Sequence, residues 1–460
     1  MKNIVADVKK LTIVGTIIAL VISTYIHLPK TYIYFENFGL KYTDITYGTF
    51  YRLFDSALLN DPVELSRVWY NNAKFKSLIE GVKLCPIPYT DYKFEHPPLI
   101  GGIWYVTTCA AIHIVLPQKY DVIAYKYYLD DLARVNYILN ITIIAIAFIL
   151  LVINFVKLVE LLNLELKLSL LLPLLPSTII YATYGWDILT ISLAFMAFYL
   201  YAKSMFFNSN TRYLVISFVL FGLSIVCNML MAIPVVVIVY ELIQLIRNSQ
   251  FYPRLFTKLA LTLISIIIVP NIIVYLSAGP KGLQDVLALY TSHYCENCLY
   301  LLLIPDILSS THKVLYIILL TTTVLTILTI QLKSIKLFIC SMFLTITSTT
   351  IFNYVFKPQM WMLITPLALL MLAYRRRLLL LYSVADLCNS TIIITFFKDY
   401  ELRMWLSKYI HGLSLEQNPL SIYSPVQWIV SIRNIILLVI FIVSLFYAHE
   451  LNRYSSKDYY

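Results

Sequence analysis

Apolar runs near the length needed to cross the hydrocarbon layer of a bilayer, roughly 20 residues as a helix, recur along this whole chain. They stand at roughly 11–29, 134–156, 168–183, 187–203, 212–228, 229–246, 258–276, 313–331, 336–353, 359–373, 377–397 and 426–447. The pattern predicts an all-α polytopic membrane protein with no sizeable soluble domain left over. The stretch 212–246 is too long for one helix and is split near Asn228, although Pro234 can kink a helix without ending it. The run 359–373 is short, so it must tilt little or borrow flanking residues. Lys9-Lys10 and the apolar residues up to Ile26 imitate a signal peptide. Tyr25, His27, Leu28 and Pro29 lack its small-residue cleavage pattern, so a retained first helix is expected.

One further stretch, 99–117, is long enough to cross but carries two glycines, two threonines and His113. The excess of basic residues in cytoplasmic loops arbitrates. If 99–117 does not cross and the N-terminus is inside, the cytoplasmic connections hold Lys157, Lys167, Lys203, Arg212, Arg247, Arg254, Lys258, Lys333, Lys336 and Arg375-Arg376-Arg377. If it does cross, the triple arginine falls outside. The segment therefore reads as a helix lying in or dipping into the outer leaflet, which leaves about 12 crossings and both termini cytoplasmic. Segments 30–133 and 277–312 become long outer loops, 398–425 an interfacial outer helix and turn, and Gly185-Trp186-Asp187 and Phe356-Lys357-Pro358-Gln359 short outer turns. The unusual polar clusters then share one face of a cell membrane.

Composition agrees. Of 460 residues, 60% are hydrophobic and 13% charged, about half the charged share of a soluble domain. The net charge of +10 is no nucleic-acid signal, since basic residues of membrane proteins collect in cytoplasmic loops and no basic groove is interleaved with aromatics. The 37 tyrosines suit interfacial surface. Most of the seven cysteines lie in apolar helices as small hydrophobes. In Cys295-Glu296-Asn297-Cys298 a disulfide and two free thiols are both open, and one such pair is too little for a structural zinc site. No G-x-x-x-x-G-K-[ST] phosphate cradle is present, which disfavours an ATP-driven pump.

Candidate chemistry sits in the outer segments. Asp44 precedes Thr46–Phe54, which reads as a short amphipathic helix burying Phe50, Tyr51 and Phe54 and exposing Arg52 and Asp55. A carboxylate there can bind a cation or take a proton from a hydroxyl, or it can simply cap the helix. Residues 89–99 crowd Tyr89, Asp91, Tyr92, Lys93, Glu95 and His96 ahead of Pro97-Pro98, which fix the exit of the loop. That set suits phosphate or sugar recognition, or equally an interfacial anchor. Trp186-Asp187 interrupts two apolar runs, and an aspartate at the head of a span needs water or a partner. Glu296, Lys357 and Gln359 lie at outer ends of other spans. Together these charges suit a phosphate-bearing substrate, with or without a divalent cation.

These residues, in this order, resemble the GT-C superfamily of integral-membrane glycosyltransferases. The likeness is greatest to its archaeal and bacterial mannosyltransferase-like branch and weaker to protein O-mannosyltransferases. The matching pieces are Tyr42-Thr43-Asp44 with Tyr47 and Phe50, Tyr92-Lys93-Phe94-Glu95-His96-Pro97-Pro98-Leu99, Tyr184-Gly185-Trp186-Asp187, Glu296-Asn297 and Phe356-Lys357-Pro358-Gln359-Met360-Trp361. The resemblance covers most of the chain to about residue 370. It implies a catalytic module over 1–373 followed by a C-terminal transmembrane region over 374–460. It also implies a polyprenyl-phosphate sugar donor (dolichyl phosphate in archaea), a lipid-linked or protein-linked glycan acceptor, and inversion at the anomeric carbon. Asp44 would be the general base or orient the acceptor. Asp91, Glu95 and His96 would position acceptor or donor phosphate, and Lys357 with Lys93 would neutralise the leaving phosphate. Tyr42, Tyr92, Trp186, Asp187, Glu296, Asn297 and Gln359 would bind substrate. No cofactor is implied, and metal-independent transfer is the expectation, although some members need a divalent cation. The chain departs from the pattern at Cys227-Asn228-Met229, where many relatives carry a lysine near a proline.

Three other functions compete, one of them a different lipid-phosphate transferase. A lipid-linked-glycan transporter or flippase needs a polar path across the bilayer, for which the threonine-rich stretches 321–329 and 345–350 are candidates. A non-catalytic membrane assembly protein is the remaining alternative.

Overall fold

The computed structural model describes residues 2–29, 39–54, 69–79, 82–115, 122–208, 210–291 and 294–457. Asp55 lies outside these residues. Helix α1 (Lys2–His27) is followed by the short α2 (Asn72–Ile79), then α3 (Pro98–Ile114) and the long α4 (Val122–Leu161). A broken segment comes next, a 3-10 turn at Leu166–Leu170 with α5 (Leu171–Leu174) and α6 (Pro176–Tyr181). Four longer helices continue the chain: α7 (Asp187–Lys203), α8 (Thr211–Cys227), α9 (Ala232–Arg247) and α10 (Pro253–Thr291). The remainder is α11 (Thr311–Ile327), α12 (Ile335–Ile351), α13 (Trp361–Leu372), α14 (Arg376–Phe397), the short α15 (Asp399–Leu406) and α16 (Pro425–Lys457). Among the described residues there are isolated β-bridges but no strand.

Seven helices of the described residues are long and apolar enough to cross a membrane, and five more are shorter apolar helices. The chain is a multi-pass membrane protein, in which helices satisfy every backbone polar group without water. Bare aliphatic side chains on the outside of the bundle, such as Ile13, Ile17 and Val21 on α1 or Ile273 and Leu276 on α10, suit contact with lipid tails. Helices α12 and α13 form the buried centre, with nearly every side chain covered.

Two expectations are corrected. The run 168–183 is not one helix: Pro173 and Pro176 divide it, and Leu175 is extended (φ −61°, ψ 135°) as a residue before proline prefers. Residues 277–291 are not loop but the continuation of α10 beyond a kink at Gly279, whose φ of +67° glycine adopts without strain. Pro280 then opens the second half, where its missing N–H costs nothing.

The bundle has two chemically different ends. At one, Lys9 pairs with Glu160 at 2.5 Å, and Arg376 with Glu165 at 3.5 Å. At the same end Lys203 lies over Tyr199 and Tyr213, Lys336 over Tyr374 and Arg375 over Tyr447. At the other end the Pro29 carbonyl, just after α1, accepts Arg134 Nε of α4 at 3.2 Å. The chain therefore leaves α1 and enters α4 at one end of the bundle, with α3 in between.

Two disulfides join Cys85 to Cys109 and Cys295 to Cys298. Cys109, read from sequence as an apolar helix residue, is thus bonded to a loop 24 residues away. Cys227, Cys340 and Cys388 are free. Alkylation of the denatured protein should modify three cysteines before reduction and all seven after it, as counted by mass spectrometry.

Beyond α14, Asp399 and Arg403 form a fully buried pair at 2.8 Å. The carboxylate also accepts the Ser424 hydroxyl at 2.6 Å and the Asn418 N–H at 3.1 Å, while the guanidinium donates to the carbonyls of Ser414 and Asn418. Breaking such a pair from one side strands a buried charge. Arg403→Met should cost about 3–5 kcal/mol, read as a lowered Tm in detergent, and Asp399→Leu in the same chain should restore much of it.

Candidate active site

Asp44 is held by a tight turn. The Thr43 hydroxyl accepts the Thr46 N–H at 3.0 Å, and the Thr49 hydroxyl donates to the Asp44 carbonyl at 2.7 Å. Residues Thr46–Tyr51 wind as a π-helix rather than an ordinary amphipathic helix, burying Phe50 and Tyr51 as the pattern predicts. Thr43, not Asp44, supplies the cap. The Asp44 carboxylate is released to reach across the molecule, where its Oδ2 accepts Gln359 Nε2 at 2.8 Å. Gln359 belongs to the 3-10 turn Pro358–Met360 that opens α13, and Lys357 is the extended residue just before it.

Asp187 sits in the first turn of α7, a favourable place for a carboxylate at the positive end of the helix dipole. Its Oδ1 accepts Asn228 Nδ2 at 3.5 Å. Asn228 ends α8 and starts the turn into α9, its side chain accepting the Leu230 N–H at 3.1 Å. Trp186 is fixed by its Nε1 on Asn140 at 3.2 Å, and the His96 ring packs edgewise on it at 4.7 Å. His96 is itself placed from behind: Tyr89 donates its hydroxyl to the His96 carbonyl at 2.7 Å. Gly101 makes room for this, since a Cβ there would meet that hydroxyl at 2.2 Å.

These groups surround one cavity of 350 Å³. Asp44, His96, Asp187, Asn228, Lys357 and Gln359 form its polar wall, and Ile100, Met229, Leu230, Ile233 and Met360 an apolar one. Helices α7, α9 and α13 begin there and α8 ends there, so the cavity lies at the end of the bundle opposite the basic cluster. Burial alone would push the Lys357 ammonium towards neutrality, but Asp44 and Glu296 outweigh it and hold its pKa above the ordinary lysine value. Burial raises the Glu296 carboxyl above its usual range, Lys357 pulling the other way and Asp44 adding to the rise. The Tyr42 hydroxyl is likewise pushed up by burial and by Asp44. A cationic group amid carboxylates beside an apolar wall can hold a phosphate and take a proton from a hydroxyl in one place.

The structure thus brings Asp44, His96, Trp186, Asp187, Lys357 and Gln359 to one cavity, with Tyr42 and Glu296 near enough to act on its charges. It places the other candidates elsewhere. Asp91 is buried against Lys74 at 2.7 Å and accepts the Ile87 N–H at 2.7 Å, which shapes the loop. The Tyr92 hydroxyl accepts Trp104 Nε1 in the core. Lys93 pairs with Glu95 at 2.6 Å, and Arg52 with Glu95 at 3.6 Å, lining a small neighbouring crevice that shares His96 with the main cavity. Asn297 is buried, bonded to Gln427, Arg433 and Asn434. Residues that sequence reasoning did not select also line the cavity: Tyr316, Asn353, Tyr354 and Asn228. The one signal was at Asn228, an amide at the junction of two spans.

No family model matches the chain, and no curated protein does. Among solved structures it is similar to the crystal structure of ArnT from Cupriavidus metallidurans bound to undecaprenyl phosphate, with a TM-score of 0.47 and 12% identity over 98% of this chain and 79% of that one. A likeness of that degree assigns no role to any residue here.

Proposed function

We propose that this chain is a GT-C-type glycosyltransferase that moves a sugar, mannose or another hexose, from a polyprenyl or dolichyl phosphate to a lipid-linked or protein-linked glycan. The observation that carries the reading is the meeting of Asp44, Lys357 and Gln359 in a cavity with an apolar wall. The isoprenoid lies along that wall and brings its phosphate to Lys357. Gln359 orients the Asp44 carboxylate, which takes the proton of the acceptor hydroxyl as its oxygen attacks the anomeric carbon. The bond from that carbon to the phosphate oxygen breaks, configuration inverts, and the polyprenyl phosphate leaves with its new charge against Lys357. Asp187, steered by Asn228, and Trp186 beside His96 are assigned to the sugar. Asp91, Tyr92, Lys93, Glu95 and Asn297 are assigned to shaping the loops around the site.

The cavity is assigned to the outer face. The connection holding Arg375, Arg376 and Arg377 lies at the opposite end of the bundle, as basic cytoplasmic connections do, and disulfides such as Cys295–Cys298 beside the cavity persist in an oxidising compartment. The transporter reading is less favoured: in the threonine-rich stretches, Thr322, Thr326, Thr329, Thr345, Thr349 and Thr350 donate to carbonyls of their own helix turns, and of the buried hydroxyls there Thr347 alone has no partner among the described residues. The test is incubation of membranes carrying the protein with a labelled polyprenyl-phosphate hexose. Label should pass to a glycan with inverted anomeric configuration, with polyprenyl phosphate released in equal amount. Label that crosses the bilayer still attached to its donor, with no release, overturns the proposal.

A further inference from the structure

The C-terminal helices do not line the cavity, yet they hold two of its charged segments. Arg433 on α16 is fully buried, and among the described residues no carboxylate pairs with it. Its guanidinium instead donates Nε to Asn434 Oδ1 at 3.0 Å and Nη1 to Asn389 Oδ1 at 2.8 Å. Nη2 is shared by the carbonyls of Asn297 and Phe356, each at 3.3 Å, and the plane lies 3.8 Å over the Phe356 ring. Those two carbonyls belong to the residue after Glu296 and the residue before Lys357. The segments are also joined to one another, Glu296 N–H donating to Tyr354 at 2.9 Å and Phe356 N–H to Glu296 at 2.8 Å.

The neighbours of Arg433 reinforce the arrangement. Asn434 donates to the Asn297 carbonyl at 3.1 Å, Gln427 to the Asn297 side chain at 3.1 Å, and Asn389 to the Pro358 carbonyl at 3.0 Å. Asn297 is held at φ +54° within the loop that the Cys295–Cys298 disulfide closes. A buried charge without a counter-charge is costly, and here hydrogen bonds to four acceptors offset that cost. What an apolar residue lacks is the planar fork, which reaches several fixed acceptors at once.

We propose that Arg433 is a positioning residue of the cavity, its guanidinium fixing the Asn297 and Phe356 carbonyls so that Glu296 and Lys357 keep their register. The inference rests on the reading of Lys357 as the group that meets a lipid phosphate. Residues 374–460 then belong to the working site, although the sequence resemblance ends near residue 370.

Two readouts on the purified full chain in detergent separate the inference from that reading. In the first, peptide-resolved hydrogen exchange compares the parent with Arg433→Met and Arg433→Lys. Exchange over 294–298 and 353–358 should rise at least tenfold in Arg433→Met, with peptides of α4 unchanged, and lie between in Arg433→Lys. Unchanged exchange in those two segments overturns the positioning role whatever the protein binds. In the second, undecaprenyl phosphate should bind the parent and bind Arg433→Met at least tenfold more weakly, with part of the loss recovered in Arg433→Lys. A parent that does not bind while exchange responds as stated removes the phosphate reading and leaves the positioning intact. If Arg433→Met does not fold, Arg433→Lys decides alone: exchange and binding both equal to the parent overturn the inference, and a threefold or greater change in both sustains it.

Discussion

Asp44→Asn should give a folded, membrane-inserted protein that still binds a polyprenyl-phosphate sugar and transfers almost none of it. The substitution keeps the size of the side chain and an oxygen for Gln359 Nε2, now 2.8 Å from the carboxylate. It removes the negative charge and the site for a proton. Losing a positioned general base costs about 10²–10⁴ in rate, so the fall should appear in kcat with KM little changed. Transfer at the parent rate would remove Asp44 from the mechanism. A rise in KM and a fall in kcat together with a lowered Tm would point instead to a structural turn at Asp44.

Lys357→Met should have the other large effect, and it should be visible without turnover. Among the described cavity-lining residues Lys357 carries the one fixed positive charge, facing Asp44 and Glu296. Methionine fills the space but offers no donor to a phosphate. Losing a preorganised group of this kind costs about 10²–10³ in rate, and binding of polyprenyl phosphate should weaken as well. The carboxylates then lose the charge that offsets their burial, so the Glu296 carboxyl, already raised, should rise further. A carboxyl that ionises less readily folded than unfolded stabilises the fold below its unfolded pKa, and that stabilisation is lost as pH rises through the folded value. Lys357→Met should therefore unfold at a lower temperature at pH 7 than at pH 5, with the parent less sensitive over that range. A variant whose Tm is as flat as the parent's would mean that the three charges do not interact.

The candidate residues were visible in the sequence to different degrees. Asp187 stood out because a charge at the head of an apolar span is expensive unless something holds it, Asp44 because it precedes a short amphipathic helix, and Lys357 because it lies at the outer end of a span. Asp91 and Lys93 stood out for the crowding of polar groups ahead of Pro97-Pro98, and nothing local separated them from the residues of the cavity. Asp91 is buried against Lys74 and accepts the Ile87 N–H. Asn297 was matched on its place next to Glu296, yet the two side chains diverge, one toward the charges of the cavity and the other into Gln427. Asn297 takes a left-handed φ of +54° directly after Glu296, so the chain turns between the two neighbours.

The sequence by itself determined that this is a helical membrane protein and where most of its helices run, because lipid leaves the backbone no partner but its own helix and demands a long apolar stretch for each crossing. It also marked the segments where polar residues gather. Tertiary structure alone decided that proline divides 168–183, that α10 runs on beyond Gly279, and that Cys85 finds Cys109. It alone set Gln359 against Asp44 across 315 positions and Arg433 against the segments of Glu296 and Lys357. Hydrophobic periodicity is a local property that each stretch carries in its own residues, whereas a hydrogen bond between distant segments exists only once the packing of every helix between them has fixed where both ends lie.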